Sequence, residues 1–169
     1  MELWDAYDRD EKRTGGTLVR GEPIPDGLYY LTCEVLVRHI DGDYLLTKRA
    51  RSKKCNPGLY EASVGGAAQK GESPIECIKR ELREETGITG GTFTQLERFK
   101  FDCVHNFCHI YLCVTDCDKD AIILQEGETE DWKWLTEEEF IAFVNSDEGI
   151  AAQKAHFKRY YAEMGYLKE

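Results

Sequence analysis

The stretch Gly66 to Ile88, GAAQKGESPIECIKRELREETGI, constrains this chain more than any other. It carries its own helix signals. Ser73 can cap free backbone N–H groups, and Glu76, three residues later, completes a capping box. Pro74 falls at the first helical position, where its missing N–H costs nothing. Gly87 suits a left-handed C-terminal stop. The pattern predicts a helix from about Pro74 to about Thr86. Ile75, Ile78 and Leu82 form an apolar stripe at helical spacing. Glu81, Glu84 and Glu85 stand at i, i+3 and i+4, so their carboxylates share a neighbouring face.

Three acids so close need a reason, because each like-charge pair costs roughly 0.2–0.5 kcal/mol if nothing neutralises it. One reading is a solvated acidic face relieved by Arg80 and Arg83. The other is a hard divalent cation of the Mg²⁺ kind, which takes carboxylate and water oxygens and is usually shared with substrate phosphates. Gly65-Gly66, just ahead of the helix, adds weight to the second, because glycine lets a backbone carbonyl approach an ion.

The spacing matches a known signature at every fixed position. Gly66, Glu72, Arg80, Glu81, Leu82, Glu84, Glu85, Gly87 and Ile88 fit the Nudix box: Gly, five residues, Glu, seven residues, then Arg-Glu-aliphatic-any-Glu-Glu-any-Gly-aliphatic. The chain thus resembles the Nudix hydrolase superfamily of MutT-like proteins. The resemblance implies an α/β fold, an α/β/α sandwich around a mixed sheet. It implies Mg²⁺-dependent cleavage, with Mn²⁺ as a substitute, of a diphosphate bond. The substrate class is a small molecule, a nucleoside diphosphate linked to another moiety or a related organic diphosphate. By the same resemblance Glu81, Glu84 and Glu85 are metal ligands, the Gly65 carbonyl is a further one, Arg80 orients the glutamates, and Glu72 is a supporting acid. In many relatives the general base is a carboxylate on a later loop. Glu128, in Gln125-Glu126-Gly127-Glu128, has that placement, and Glu81 and Glu84 are the alternatives.

Beyond the box, Trp4-Asp5-Ala6-Tyr7-Asp8 and Lys53-Lys54-Cys55-Asn56-Pro57-Gly58-Leu59-Tyr60 resemble the isopentenyl-diphosphate isomerase branch of the superfamily. That enzyme carries a catalytic cysteine in the loop where this chain reads Ser63-Val64-Gly65-Gly66, and its box is degraded. Here the box is intact and the cysteine is missing, so a hydrolase with an isomerase-like body is expected. An isomerase and a catalytically silent nucleotide-binding module are the competing readings. The intact acids argue against the latter, since binding alone would not require them all.

The rest of the chain fills in the frame. Its 169 residues suit one domain, with residues 1–27 as a hairpin-and-loop extension that could line a substrate pocket, make a homodimer contact or close the core. The net charge of −10 argues against non-specific nucleic-acid binding, which relies on Lys and Arg neutralising phosphates. No apolar run approaches the ~18–20 residues of a membrane span, and Met1-Glu2-Leu3-Trp4-Asp5 lacks the features of a signal peptide. A cytoplasmic setting follows as an expectation, and the seven cysteines are read as thiols rather than disulfides. Cys103, His105, Cys108 and His109 invite a zinc reading, but on an extended strand Cys108 would point away from the other three.

In chain order, strands are expected at Leu28 to Ile40, Tyr44 to Arg49, Leu59 to Val64, Phe93 to Phe101, Phe107 to Val114 and Trp132 to Leu135. Leu36 breaks the polar side of the first of these. Thr136 and Glu139 open a second helix, and one last helix is expected from about Asp147 to Met164. Lys48, Arg49, Arg51, Lys53 and Lys54 form the densest positive stretch, either a solvated loop or contacts to substrate phosphates. Arg49 and Arg51 are the stronger substrate-binding candidates, with Lys48 beside them. Tyr29, Tyr30, Phe107 and Trp132 are candidates to stack a base, although core packing is the commoner fate of such residues.

Overall fold

A computed structural model describes residues 1–168 of the chain. Helix α1 (Pro74–Thr86) has the expected ends. The Ser73 side chain accepts from the Glu76 N–H, and the Glu76 carboxylate accepts from the Ser73 N–H at 2.8 Å. Gly87 closes the helix in the left-handed region with φ 77°. The apolar stripe of α1 is buried through Ile78 and Leu82, with Cys77 beside them.

The sheet beneath α1 has seven strands, from β3 to β9. They are β3 (Tyr30–His39), β4 (Tyr44–Arg49), β5 (Tyr60–Glu61), β6 (Ser63–Ala67), β7 (Thr92–Phe101), β8 (Asn106–Thr115) and β9 (Thr129–Leu135). It is mixed: β3 runs parallel to β8 along its whole length, and the other pairs are antiparallel. One further helical layer completes it, with α2 (Glu137–Val144), α3 (Ala151–His156) and α4 (Lys158–Glu163) lying away from α1. Leu31, Cys33, Val35 and Val37 of β3 pack with Ile78 and Leu82 of α1. Leu36 packs with Phe140 and Phe143 of α2 and Tyr160 and Tyr161 of α4. Leu36 therefore does not break a polar face. It marks where the second face of the sheet is also covered, the α/β/α arrangement.

Two expected elements are each divided. The strand expected over Leu59 to Val64 splits at buried Ala62, because Tyr60–Glu61 pairs with β4 whereas Ser63–Ala67 pairs with β3. Strand β3 hands its edge from β4 at Arg38 to β6 at Leu36. The single C-terminal helix becomes two, broken at Phe157. That side chain is 1% exposed, and it anchors the break in the α2/α4 core.

Residues 3–19 form a separate two-stranded sheet, β1 (Leu3–Tyr7) with β2 (Arg13–Val19). It carries a small core of Trp4, Ala6 and Leu18, against which Tyr30 and Ala67 pack. The Trp4 and Tyr30 rings stack at 4.5 Å. This contact sets the start of the chain beside β3 and β6.

Candidate active site

One cavity of about 480 Å³ receives the acidic face of α1. Glu81, Glu84 and Glu85 all line it, together with Arg80, Gly65 and Gly66. The two glycines lie in strand β6, not in a loop, and neither has a positive φ. Their requirement is space. A Cβ on Gly65 would run into the backbone carbonyl of Cys33, and one on Gly66 would sit 2.5 Å from the carboxylate of Glu81. The chain needs glycine here so that α1 can bring its acids down onto the strand.

Arg80 stands among those acids. Its Nε and Nη2 donate to the two carboxylate oxygens of Glu72 at 2.7 and 3.1 Å. Nη1 donates to Glu81 at 2.6 Å and to Glu84 at 3.0 Å, and Nη2 also donates to the Ala67 carbonyl at 3.0 Å. The rigid guanidinium fork thus fixes three glutamates and the strand at once. Glu72 is itself held by the Gln69 N–H at 2.8 Å.

Glu85 has no such help. It is 7% exposed, and among the described residues no hydrogen bond or ion pair reaches its carboxylate. Burial pushes this carboxyl well above its ordinary range, and the nearby charges of Glu61, Glu81 and Glu128 push the same way. Burial also raises Glu81, against the pull of Arg80. An all-oxygen set of this kind, short of positive charge, fits a hard divalent cation.

The cavity gathers more acid than the box supplies. Glu61 of β5 is 5% exposed and raised by burial, although Arg49 Nη1 lies 3.2 Å away and the Gln153 amide donates to it. Glu34 of β3 and Glu2 also line the cavity. Glu128 lines it from the loop before β9, where Lys53 pairs with it.

The basic stretch divides. Arg49 and Lys53 line the cavity. Lys48 and Arg51 do not: both pair with Glu130, and Lys48 lies over the Tyr60 ring. Adjacent strand residues point to opposite faces, so Lys48 and Arg49 cannot both turn inward. Arg51 sits in the turn beyond the strand with its side chain 81% exposed. Of the aromatic candidates only Tyr30 lines the cavity. Tyr29 and Phe107 are in the core, and Trp132 packs against it. The extension contributes Glu2 and Arg20 to the cavity rim.

Sequence reasoning did not single out Glu34, Glu61, Arg20 or Gln153, and it named Lys53 within the basic stretch but preferred Arg49 and Arg51. Glu61 left a trace, an acid set among Tyr60, Ala62 and Val64 in a strand with little other charge. Such a residue is rarely buried without a purpose. Gln153 and Arg20 gave no signal, since each reaches the cavity only through tertiary packing.

The comparisons with known proteins agree with this geometry. The model of the NUDIX domain matches residues 31–160. An uncharacterized Nudix hydrolase of Listeria monocytogenes is 30% identical over 150 residues, 89% of each chain. The Escherichia coli Nudix hydrolase YfcD, also uncharacterized, is 33% identical over 60% of this chain and 56% of its own. Among solved structures, Deinococcus radiodurans DR0079 superposes with a TM-score of 0.74 at 24% identity, covering 95% of this chain and 99% of that one. The NUDIX domain of Shewanella oneidensis NrtR, solved with ADP ribose, gives 0.62 at 18% identity over 80% of this chain and 88% of that one. With Gly66, Arg80, Glu81, Glu84 and Glu85 of the box on one cavity and the family model spanning most of the sequence, the chain belongs to the Nudix hydrolase family.

Proposed function

We propose that this protein is an Mg²⁺-dependent pyrophosphohydrolase of a small organic diphosphate, with a nucleoside diphosphate linked to a second moiety as the favoured class. The observation that carries the proposal is the convergence of Glu81, Glu84 and Glu85 on one cavity, with Glu85 buried and unpartnered among the described residues. Glu81, Glu84 and Glu85 would hold the cation, with Mn²⁺ as a substitute and the Gly65 carbonyl as a further donor. When bound there, such a cation would supply charge neutralisation for the diphosphate and a more acidic attacking water.

The chain's own groups supply the rest. Arg80 holds Glu81 and Glu84 in place through its fork. Arg49, Lys53 and Arg20 are the cavity cations available to substrate phosphates, and Lys48 and Arg51 are not. Glu128 is the proposed general base, because it reaches the cavity from an element separate from the metal-binding helix and Lys53 fixes its position. The extension serves as a cavity wall through Glu2 and Arg20, which favours that role over a homodimer contact. A small-molecule substrate is supported by the ADP ribose bound to the NrtR domain. All seven cysteines are free thiols, which supports a cytoplasmic setting, and no helix is long and apolar enough to cross a membrane.

The isomerase reading is disfavoured by geometry as well as by sequence. The Gly65-Gly66 stretch has no room for a side chain. Cys33 does line the cavity, but its Sγ donates to the Pro74 carbonyl at 3.3 Å. Its hydrogen bond with Cys77 and its burial hold the thiol far above the range useful for proton transfer.

The test is turnover with Mg²⁺ against nucleoside triphosphates, ADP ribose, NADH, coenzyme A, dinucleoside polyphosphates and isopentenyl diphosphate, read by chromatography. Cleavage of one class that falls on the order of 10²-fold or more in Glu84→Gln and Glu85→Gln is the expected result. Interconversion of isopentenyl diphosphate without cleavage, or activity indifferent to both substitutions, would overturn it.

A further inference from the structure

On the sheet face away from α1, three unlike donors meet. Glu34 of β3 lies two residues from Thr32, which is the register partner of Cys108 on β8, so Glu34 and Cys108 share a face. His156, the last residue of α3, closes the group. Its Nδ1 lies 3.1 and 3.2 Å from the two Glu34 carboxylate oxygens. A Glu34 oxygen, Cys108 Sγ and a ring nitrogen of His156 all fall within 4.8 Å of one another. The imidazole packs against the stacked pair Phe99 and Phe101, each ring centroid 5.5 Å away. Cys108 is 2% exposed, whereas Glu34 lines the cavity.

We infer that Glu34, Cys108 and His156 form a second metal site, for a borderline divalent ion such as zinc or cobalt, with one coordination position left facing the cavity. One oxygen, one sulfur and one nitrogen are the donor set such ions prefer. Three protein ligands with an open fourth position is the arrangement of catalytic rather than purely structural zinc sites. The donor set differs from the all-oxygen cluster on α1, so the two sites select different ions from the same solution. The break at Phe157 ends α3 at His156, and this fixes where the imidazole stands over the sheet. The site is independent of the hydrolytic reading, because it shares no residue with the Nudix box.

The competing account is a plain histidine–carboxylate hydrogen bond beside a buried thiol. Titration of the metal-free full-length protein with Co²⁺ separates the two. A bound thiolate adds a sulfur-to-cobalt charge-transfer band in the near ultraviolet, which carboxylate ligands alone cannot give. The expected result is a band that saturates at one equivalent and disappears in Cys108→Ser and in Cys108→Ala. His156→Gln should weaken Co²⁺ binding by about 10-fold or more. Glu84→Gln should retain the band, and so should Cys33→Ser, the control for the thiol that lines the cavity. If both Cys108 variants fail to fold, His156→Gln and Cys33→Ser decide the matter, since neither removes a side chain of the α2/α4 core. Absence of the band in the wild type, its survival without Cys108, full Co²⁺ affinity in His156→Gln, or its loss in Cys33→Ser would each overturn the site.

Discussion

Replacing Gly66 by alanine adds one methyl group directly against the carboxylate of Glu81. The new Cβ would stand 2.5 Å from Glu81 Cδ and Oε1, and ordinary contact begins at 3.4 Å, so the carboxylate must retreat by about 0.9 Å. Gly66 has no positive φ, so alanine meets no backbone penalty, and the obstructing atoms are the end of a flexible side chain. The stability cost is therefore small, about 1 kcal/mol or less. The catalytic cost is not, because a displacement near 1 Å can lower a rate on the order of 10²-fold. Gly65→Ala is the contrasting case. Its Cβ meets the Cys33 backbone carbonyl, and strand β6 itself must move away from β3. That overpacking should cost roughly 1–3 kcal/mol, with Tm falling about 2–4 °C per kcal/mol. The assay pairs thermal unfolding with kcat/KM on whichever substrate the panel identifies, at saturating Mg²⁺. Full activity in Gly66→Ala, or a stability loss as large as in Gly65→Ala, would refute the argument that Gly66 exists to make room for Glu81.

Three further outcomes follow from the same geometry. Lys53→Ala should raise KM about 10-fold through loss of a charged hydrogen bond to substrate and also lower kcat, because Lys53 holds Glu128, whereas Arg51→Ala should change KM by no more than about twofold. Equal effects in steady-state kinetics would contradict the division of the basic stretch. Arg80→Lys keeps the charge but loses the fork. It should lower kcat by roughly 10–100-fold and raise the Mg²⁺ concentration needed for half-maximal rate, and an unchanged Mg²⁺ requirement would count against Arg80 as the residue that positions the acids. The third outcome concerns pH. Burial raises Glu85 and Glu61 above their ordinary 4.5, so the folded protein keeps protons that the unfolded chain releases. Stability therefore falls as pH rises from 4.5 through the raised values, by at most about 1.4 kcal/mol per pH unit for each group. Chemical denaturation of the metal-free protein should show this slope, reduced in Glu85→Gln and reduced by Mg²⁺, and a slope unaffected by either would refute it.

Elements whose ends are specified by adjacent residues were legible in the sequence. Ser73, Pro74, Glu76 and Gly87 define α1 through capping and turn chemistry that acts within a few residues. Thr136 and Glu139 do the same for α2. The shared face of Glu81, Glu84 and Glu85 follows from helical period alone. The reason for Gly65-Gly66 was less accessible. Conformational freedom and a carbonyl approaching an ion were expected, but the dominant constraint is lateral space against Cys33 and Glu81, which no local pattern encodes. Leu36 looked like an error of alternation only because a second helical layer, contributed far later in the chain, was not yet in view.

By itself, then, the sequence determined the acidic helix, the strand pattern around it and the residues of the Nudix box, since these depend on residues a turn or two apart. Tertiary structure decided which of the other charges join that helix. It turned Arg49 and Lys53 inward and Lys48 and Arg51 away, and it brought Glu34 and Glu61 under the same cavity. It also placed His156 on Glu34 across 122 residues of chain and gave Cys108 partners on β3 and α3 instead of its neighbours in sequence. The physical reason is the range of the forces: caps and periodicity act through the backbone, whereas the direction of a side chain in a cavity is set by whatever packs against it, and in this fold those partners come from the opposite end of the chain.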